Sequence, residues 1–456
     1  MEFISCQPHE SDAGPRPKSI VQALLLLMKI LYICQYYPPE TPAPAARASE
    51  LSRLWAAAGH DVTVLTGFPN HPTGKVHPQY RSKLWRLCMK DDDQGVRVRR
   101  TWLVPLPNRK AWERMLNYGS FFVSAVLRGI FLSKPDVVVA TSPQLLVGLA
   151  GLIVAKCKRT PFVFEVRDLW PESLEAVGAS GNGSVLVKIL RKVAGLLYRK
   201  AAHIVVVTAP FKEHLHRHWG IPKKKISIII NGVDHRLFAP QPRDQQVTQE
   251  FGLEQKFVVG YFGTIGNAHG IETLVEVAQA AGKSDPEVLF LVIGEGADKQ
   301  LLQDMIADRK LTNIRIFPGQ PRVRMPSIIA GSDICLVLLK NAELFKTVIP
   351  TKMLEFMSCA RPIVAAVAGE AARCIENAEA GICVSPGDHA AITEAILSLK
   401  RNASRREKLG ANGRSFITSS AARDRTAQEY IALLQLVKKS GGELLAVNEL
   451  RAGGNR

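Results

Sequence analysis

Short apolar runs rich in β-branched residues alternate along this chain with longer stretches whose apolar positions recur every three or four residues. The first pattern predicts strands and the second amphipathic helices. In the first half, strands are predicted at Ile30–Cys34, Asp61–Thr66, Asp136–Ala140, Phe162–Val166 and His203–Thr208. Helices fall between them near Ala45–Ala58, Leu145–Ala155 and Val185–Lys200. Asp91-Asp92-Asp93-Gln94-Gly95 reads as a turn joining Leu84–Met89 to Val96–Leu103, a hairpin set into the parallel pattern. The second half repeats the theme, with strands at Phe257–Phe262, Val288–Ile293, Ile314–Phe317, Ile334–Leu339, Pro362–Ala366 and Ile382–Val384. Its helices are predicted at Ile271–Ala280, Lys299–Arg309, Pro326–Ala330, Thr351–Ser358 and Ala390–Leu399.

Such alternation predicts βα units and an α/β fold of two Rossmann-like, doubly wound parallel-sheet domains facing a cleft. At 456 residues the chain is too long for one compact core. Asn231-Gly232 is a turn pair at the join, and a polar stretch from Gln241 to Glu250 precedes the second strand series. The expected division is 28–233 for a first Rossmann-like domain and 234–415 for a second. A helix over 416–438 is expected to cross back to the first domain, and 439–456 to be a frayed tail. Ligands of such sheets lie at the carboxyl ends of the strands.

The first 27 residues read as an extension outside the fold. Met28 makes a natural beginning, since the apolar stretch from Ile20 runs through Lys29 into the first strand. No uninterrupted run reaches the ~18 apolar residues of a membrane span. Eight cysteines are scattered without a C-x-x-C pair, which suits a reducing cytoplasm and argues against a zinc site. Composition adds one unusual feature, a formal charge of +18. That excess suits nucleic acid, acidic lipid headgroups or phosphorylated substrates.

Three segments carry candidate chemistry. Gly260 to Leu274 runs strand, glycine loop, helix; Gly263, Thr264 and Gly266 would let backbone approach an anion at a helix start. Gly294 and Gly296, in Ile293 to Lys299, repeat that arrangement, although a plain βα turn accounts for either loop alone. In Phe345 to Ala365, Pro350 fits a first helical turn. That puts Thr351 and Lys352 at a helix N-terminus suited to a diphosphate. Glu355 follows one turn later, where a carboxylate can accept hydrogen bonds from a ribose diol. A capped surface helix is the alternative, less attractive because Met353, Leu354, Phe356 and Met357 enclose Glu355.

These residues resemble the retaining family-4 glycosyltransferases of the GT-B fold, which carry Pro-Ser/Thr-Lys-x-x-Glu-Tyr/Phe-Met in their second domain. Ile33 to Glu40, Ala43 to Arg47, Gly59 to Gly74 and Glu165 to Ser173 resemble the family's WbuB-like branch, linked to surface polysaccharides and N-acetyl-fucosamine transfer. The resemblance runs from Met28 to about Leu436. It implies that Glu355 holds the donor ribose, that the Gly263–Gly266 loop hugs the diphosphate, and that Pro350, Thr351 and Lys352 border it. The family's second glutamate, eight positions before Glu355, is here Thr347. Lys346 beside it supplies charge to the diphosphate or is a surface lysine.

Where many members have a histidine next to an aspartate, this chain has Arg167-Asp168. That pair either faces the cleft, Arg167 on a phosphate or sugar and Asp168 on a hydroxyl, or forms an ion pair at a strand end. Glu172 shares the loop. His71 is an acceptor-side candidate or an exposed loop histidine. The resemblance further implies front-face attack with the departing phosphate taking the acceptor proton, so that the protein positions groups and stabilises charge. No cofactor or metal is expected; Asp91-Asp92-Asp93 invites a metal reading, but the turn accounts for it.

The implied partners are a nucleotide-sugar donor, a UDP-sugar with an N-acetylated sugar by resemblance, and a lipid-diphosphate-linked glycan acceptor. Arg109–Arg128 and Val185–Lys200 combine cations with apolar residues, as helices lying on an anionic membrane do. Packing into the first domain would explain them equally. The resulting expectation is a cytoplasmic enzyme, peripheral on the inner face of the membrane. Nucleic acid is disfavoured, because no binding module accompanies the charge. Two rival readings stand beside the transferase: a sugar-nucleotide epimerase of the same fold, and an inactive membrane scaffold.

Overall fold

The computed structural model describes residues 27–71, 73–82, 86–107, 110–173 and 185–441. Most of the expected extension, the start of the hairpin's first arm, Pro72, Arg109 and the end of the tail lie outside them. The first sheet has the order β3-β4-β2-β1-β5-β6-β7-β8. Its strands are β1 (Lys29–Ile33), β2 (Asp61–Gly67), β3 (Cys88–Asp93), β4 (Val96–Thr101), β5 (Val137–Thr141), β6 (Phe162–Val166), β7 (His203–Val206) and β8 (Ile226–Ile228). All neighbours are parallel except β3 on β4. Helices α1 (Ala43–Ala57), α2 (Ala111–Phe131), α3 (Leu145–Lys158), α4 (Val185–Lys200) and α5 (Ala209–Trp219) cover the sheet.

The second sheet is wholly parallel, in the order β11-β10-β9-β12-β13-β14. It comprises β9 (Phe257–Phe262), β10 (Val288–Ile293), β11 (Ile314–Phe317), β12 (Ile334–Leu338), β13 (Ile363–Ala366) and β14 (Gly381–Val384). With it go α6 (Ile271–Ser284), α7 (Lys299–Asp308), α8 (Thr351–Ser358), α9 (Glu370–Asn377), α10 (His389–Arg401) and α11 (Ala403–Phe416). β5, β6, β9, β10 and β12 are buried at every position, because helices lie on both faces; this is why they read as solid apolar runs. Strand order reverses at β1/β5 and at β9/β12, so the loops leaving β1 and β9 open into the two crevices where such folds take ligands.

The acidic run is corrected by the structure. Asp91, Asp92 and Asp93 belong to β3, and the turn shrinks to Gln94 (φ 54°) and Gly95 (φ 84°), the positive pair that a tight two-residue hairpin needs. Poor strand propensity is overridden because the acids find partners. Asp91 accepts from Arg100 Nε (2.7 Å) and the Tyr80 hydroxyl (3.0 Å), and Asp93 accepts from the Tyr37 hydroxyl (2.8 Å) and pairs with Arg53 (2.9 Å). Helix α5, helices α9 and α11, and strand β8 arise where no element was expected.

Helix α12 (Arg423–Lys439) packs on α1 of the first domain. Trp55 Nε1 donates to the Ala427 carbonyl (3.2 Å), and its ring meets Tyr430 edge-on at 5.2 Å. Tyr430, Leu433, Leu434 and Val437 join Tyr32 and Trp55 in one buried cluster. The two interdomain segments also pair: Val233 N–H donates to Ala421 O (3.0 Å) and Arg423 N–H to Val233 O (2.8 Å). Trp55→Ala empties the centre of this contact and should cost ~3–5 kcal/mol. Denaturant titration should show that loss, and protease cleavage near 417–423 should accelerate; Trp55→Phe should keep most of the stability.

Candidate active site

The glycine loop leaves β9 at the crevice of the second sheet. Gly263 has φ 123°, a conformation that L side chains rarely adopt, and its amide donates to Ile293 O (2.9 Å). Ile265 N–H donates to Glu295 O (2.9 Å), so this loop lies against the one after β10. A Cβ on Gly294 would fall 1.8 Å from Gly263 O, and one on Gly296 1.9 Å from Ile265 O. Loop-on-loop packing therefore requires the second glycine pair, as the plain βα-turn reading allows. Gly263 and Thr264 remain exposed, and Gly266 is half-buried.

Pro350 stands just outside α8 as its N-cap (φ −61°, ψ 129°), not within the first turn, and no side chain caps the helix. Lys352 folds back beside Gly263; a Cβ there would sit 3.6 Å from Lys352 Cδ. Its Nζ lies 4.3 Å above the Tyr261 ring and is buried without a hydrogen-bond partner. Burial pushes this amine down to about 7. His269, further along the same loop, also has a buried, unpartnered Nδ1. Burial, and then the Lys352 charge, push it down to about 4. Two unsatisfied nitrogens thus flank one exposed stretch of backbone, an arrangement that an anion would complete.

Glu355 lies one turn beyond Thr351, its side chain 15% exposed, and accepts from Arg322 Nη1. Burial raises its pKa although Arg322 opposes that. Arg322 was not legible in the sequence. It stacks over Phe238 (4.7 Å) and also donates to Glu50 Oε1 on α1 (3.0 Å), while Arg423 Nε donates to the other oxygen of Glu50 (2.8 Å). Lys346 is half-buried and pairs with Glu343 in its own turn, as the surface-lysine alternative allows. Thr347 uses its carbonyl to accept from Thr208 Oγ1 (2.8 Å), so this position joins the domains.

Across the cleft, β6 ends in a buried ion pair. Arg47 Nη2 lies 2.8 Å from Glu165, both side chains at most 1% exposed, and the Tyr32 hydroxyl donates to the other carboxylate oxygen (2.9 Å). Arg167, two residues on, donates its amide to Ser142 Oγ (2.8 Å), and its Nε and Nη1 are buried without partners. Burial pushes its pKa down. Asp168 does not pair with it; Ser173 Oγ donates to Asp168 within the same turn, and burial raises the carboxyl's pKa. Glu172 meets His214 Nε2 at 3.3 Å.

His71 donates its amide to Glu40 (2.9 Å), rests its ring on Tyr36 (5.2 Å) and leaves Nδ1 buried and unpartnered. Burial lowers its pKa. Glu40, another residue not anticipated, also accepts from Asn70 N–H (3.0 Å), and burial pushes it up to about 7. No hydrogen bond or ion pair joins Arg167, Asp168 and His71 among the described residues. Nor do three or more His, Cys, Asp or Glu side chains gather there as metal ligands.

Two doubly wound domains around such a cleft define the GT-B glycosyltransferase architecture. Residues 43–232 match the family model of the glycosyl transferase 4-like domain, and residues 243–416 that of glycosyl transferases group 1. The chain belongs to this glycosyltransferase family. It is similar to the putative colanic acid biosynthesis glycosyl transferase WcaI of Escherichia coli, 25% identical over 73% of this chain and 81% of that protein. It is also similar to the probable glycosyltransferase WbjE of Pseudomonas aeruginosa, 24% identical over 58% of this chain and 66% of that one. Among solved structures, HepE of Anabaena in complex with UDP superposes with a TM-score of 0.66 at 17% identity, covering 90% of this chain and 100% of that one.

The depressed Lys352 carries a pH signature. Between about 7 and its ordinary pKa near 10.5, the unfolded chain holds a proton that the folded one lacks. Stability contributed here therefore rises with pH across that window, and the cost of a buried charge is complete below it. Lys352→Met should be more stable than the parent at pH 6.5, with the gap closing towards pH 9.5 (roughly spanning the window). Thermal melts across that range would show it, and a pH-independent gap would count against an amine buried without an anion.

Proposed function

We propose that the protein is a retaining transferase that moves a sugar from a UDP-sugar, with an N-acetylated sugar as the preferred donor, to a lipid-diphosphate-linked surface glycan. The observation that carries this reading is the unpartnered pair Lys352 Nζ and His269 Nδ1 beside the open Gly263–Thr264 backbone, with Glu355 one turn away. HepE is solved with UDP, and WcaI is named for colanic acid biosynthesis; both support the reading by similarity. The diphosphate lies against the loop and Lys352, with Pro350 and Thr351 at its edge, and Glu355 takes the ribose diol.

In the transfer the bond from the anomeric carbon to the β-phosphate oxygen breaks. The acceptor oxygen forms its bond on the same face and gives its proton to the departing phosphate. Lys352 stabilises the charge that develops on that phosphate. Arg167, buried and unpartnered on the opposite wall, holds an anionic or hydroxyl-rich part of the acceptor, and His71 borders the acceptor path. Because a lysine supplies the positive charge, the rate is expected to be indifferent to chelators.

The acceptor's lipid would bring the enzyme to the inner face of the cytoplasmic membrane. Helix α2 supports this: Trp112, Leu116, Val123, Leu127 and Phe131 fall along one side of it and are each at least half exposed. Among the described residues no helix is long and apolar enough to cross a membrane.

Thermal shifts against UDP-, GDP- and ADP-sugars test the donor site. UDP-sugars should stabilise the parent, Lys352→Met should weaken binding about tenfold or more, and Glu355→Gln should weaken it less. Stabilisation by no nucleotide, or binding indifferent to both variants, would sink the site. Product anomers read by NMR decide retention, and turnover of nucleotide-sugar without acceptor would favour the epimerase.

A further inference from the structure

At the end of the first sheet away from the cleft, where β1, β2 and β4 begin, lies a cavity of about 200 Å³. Its charged lining is Lys29, Lys90, Arg97, Arg99 and Arg128 against a single acid, Asp61, which Arg97 already engages. Arg128 Nε is buried without a partner, and Arg99 donates from Nη1 only to the Val98 carbonyl (3.2 Å). Burial, and then the charges of Arg97 and Arg128, push the Arg99 pKa down. Lys90 stands directly opposite Arg99 in the antiparallel β3–β4 ladder, a like-charge pairing that destabilises a hairpin.

A cation in the last turn of a helix, as Arg128 is in α2, is ordinary, because it complements the helix dipole. That explanation does not reach Lys90, Arg97 and Arg99, which sit on strands. Phe131, 80% exposed, lines the same cavity, and it ends the apolar row on α2. At 1.5 Å per residue the row is about 28 Å long from Trp112 to Phe131. An uncompensated cationic cavity at the foot of an apolar row matches one chemistry: a phosphodiester with acyl chains attached.

We propose that this cavity holds the phosphate of an anionic phospholipid headgroup, with Phe131 and Leu127 resting on the acyl boundary. The inference rests on the reading that α2 lies on a membrane, and it adds a defined headgroup site remote from the cleft.

Vesicle co-sedimentation of the full chain tests it, using phosphatidylcholine alone and phosphatidylcholine mixed with phosphatidylglycerol. Arg99→Gln/Arg128→Gln removes two cations of the cavity, and Arg405→Gln/Lys408→Gln removes two exposed cations of α11. Each basic residue at an anionic surface contributes about fivefold. The cavity pair should therefore lose roughly twenty-five-fold in affinity for the mixed vesicles, and the control pair under about threefold. The cavity variant should melt no lower than the parent, since like charges have been separated, and should transfer to a soluble acceptor at the parent rate.

Equal losses in the two variants would overturn the headgroup site while leaving the membrane reading intact. A parent that binds neither vesicle would overturn both. Thermal stabilisation of the parent by inorganic phosphate or glycerol phosphate, lost in Arg99→Gln/Arg128→Gln without any difference on vesicles, would assign the cavity to a soluble phosphate instead.

Discussion

Helix α1 holds the molecule together through two charged residues one turn apart. Arg47 is sealed against Glu165 at the end of β6 and donates to the Ile230 carbonyl (3.0 Å) in the segment that leaves the first domain. Glu50 stands between Arg322 of the second domain and Arg423 of the returning helix. Charges this deeply buried persist only while each has its partner. The relative placement of the domains is thus fixed at the same residues that complete the cleft. Arg322 makes the dependence explicit, because the guanidinium that grips Glu50 also grips Glu355. The carboxylate read as the ribose holder is therefore positioned by the first domain as well as by its own helix.

The basic excess has a location. Many cations on the surface have ordinary carboxylate partners, such as Arg324 with Glu250 and Lys400 with Asp285. Lys352 and Arg167 near the cleft, and Arg99 and Arg128 at the opposite end of the first sheet, lack them. A buried cation without a partner costs free energy that folding alone does not recover. Arg167, Lys352 and Arg128 are such positions, and the proposed acceptor, donor and headgroup sites would each supply an anionic partner.

The strand series was legible almost to the residue. Phe162–Val166, Phe257–Phe262, Val288–Ile293 and Ile314–Phe317 occupy the predicted positions, since solid β-branched runs between helices have no other stable use in a two-sided sheet. Legibility failed where pairing outweighed local preference. The acids of β3 are stabilised by Arg100, Arg53 and two tyrosines, which lie far off in sequence or across a ladder. Helix α5, with three histidines in its last turns, shows only two buried positions and so little period to detect. In the site, Glu355 and the Gly263 loop stand out by motif. His269 sat unremarked within that motif, and Arg322, Glu50 and Glu40 belong to no local pattern.

By itself, the sequence determined the two-domain α/β architecture, the helix that carries Lys352 and Glu355, and the glycine loop beside it, because apolar period, turn chemistry and a short contiguous motif are local properties. Tertiary structure decided what each group is free to do. It tied Asp168 to Ser173 and Lys346 to Glu343, gave Gly294 and Gly296 to loop packing, and left Lys352, His269 and Arg167 without partners. Some of these partners are three and five positions away and others about thirty, but which contact each group makes depends on the burial and backbone path that folding sets. Charge and hydrogen-bonding capacity are written in the residue, but whether they are already satisfied is settled only when the chain has folded.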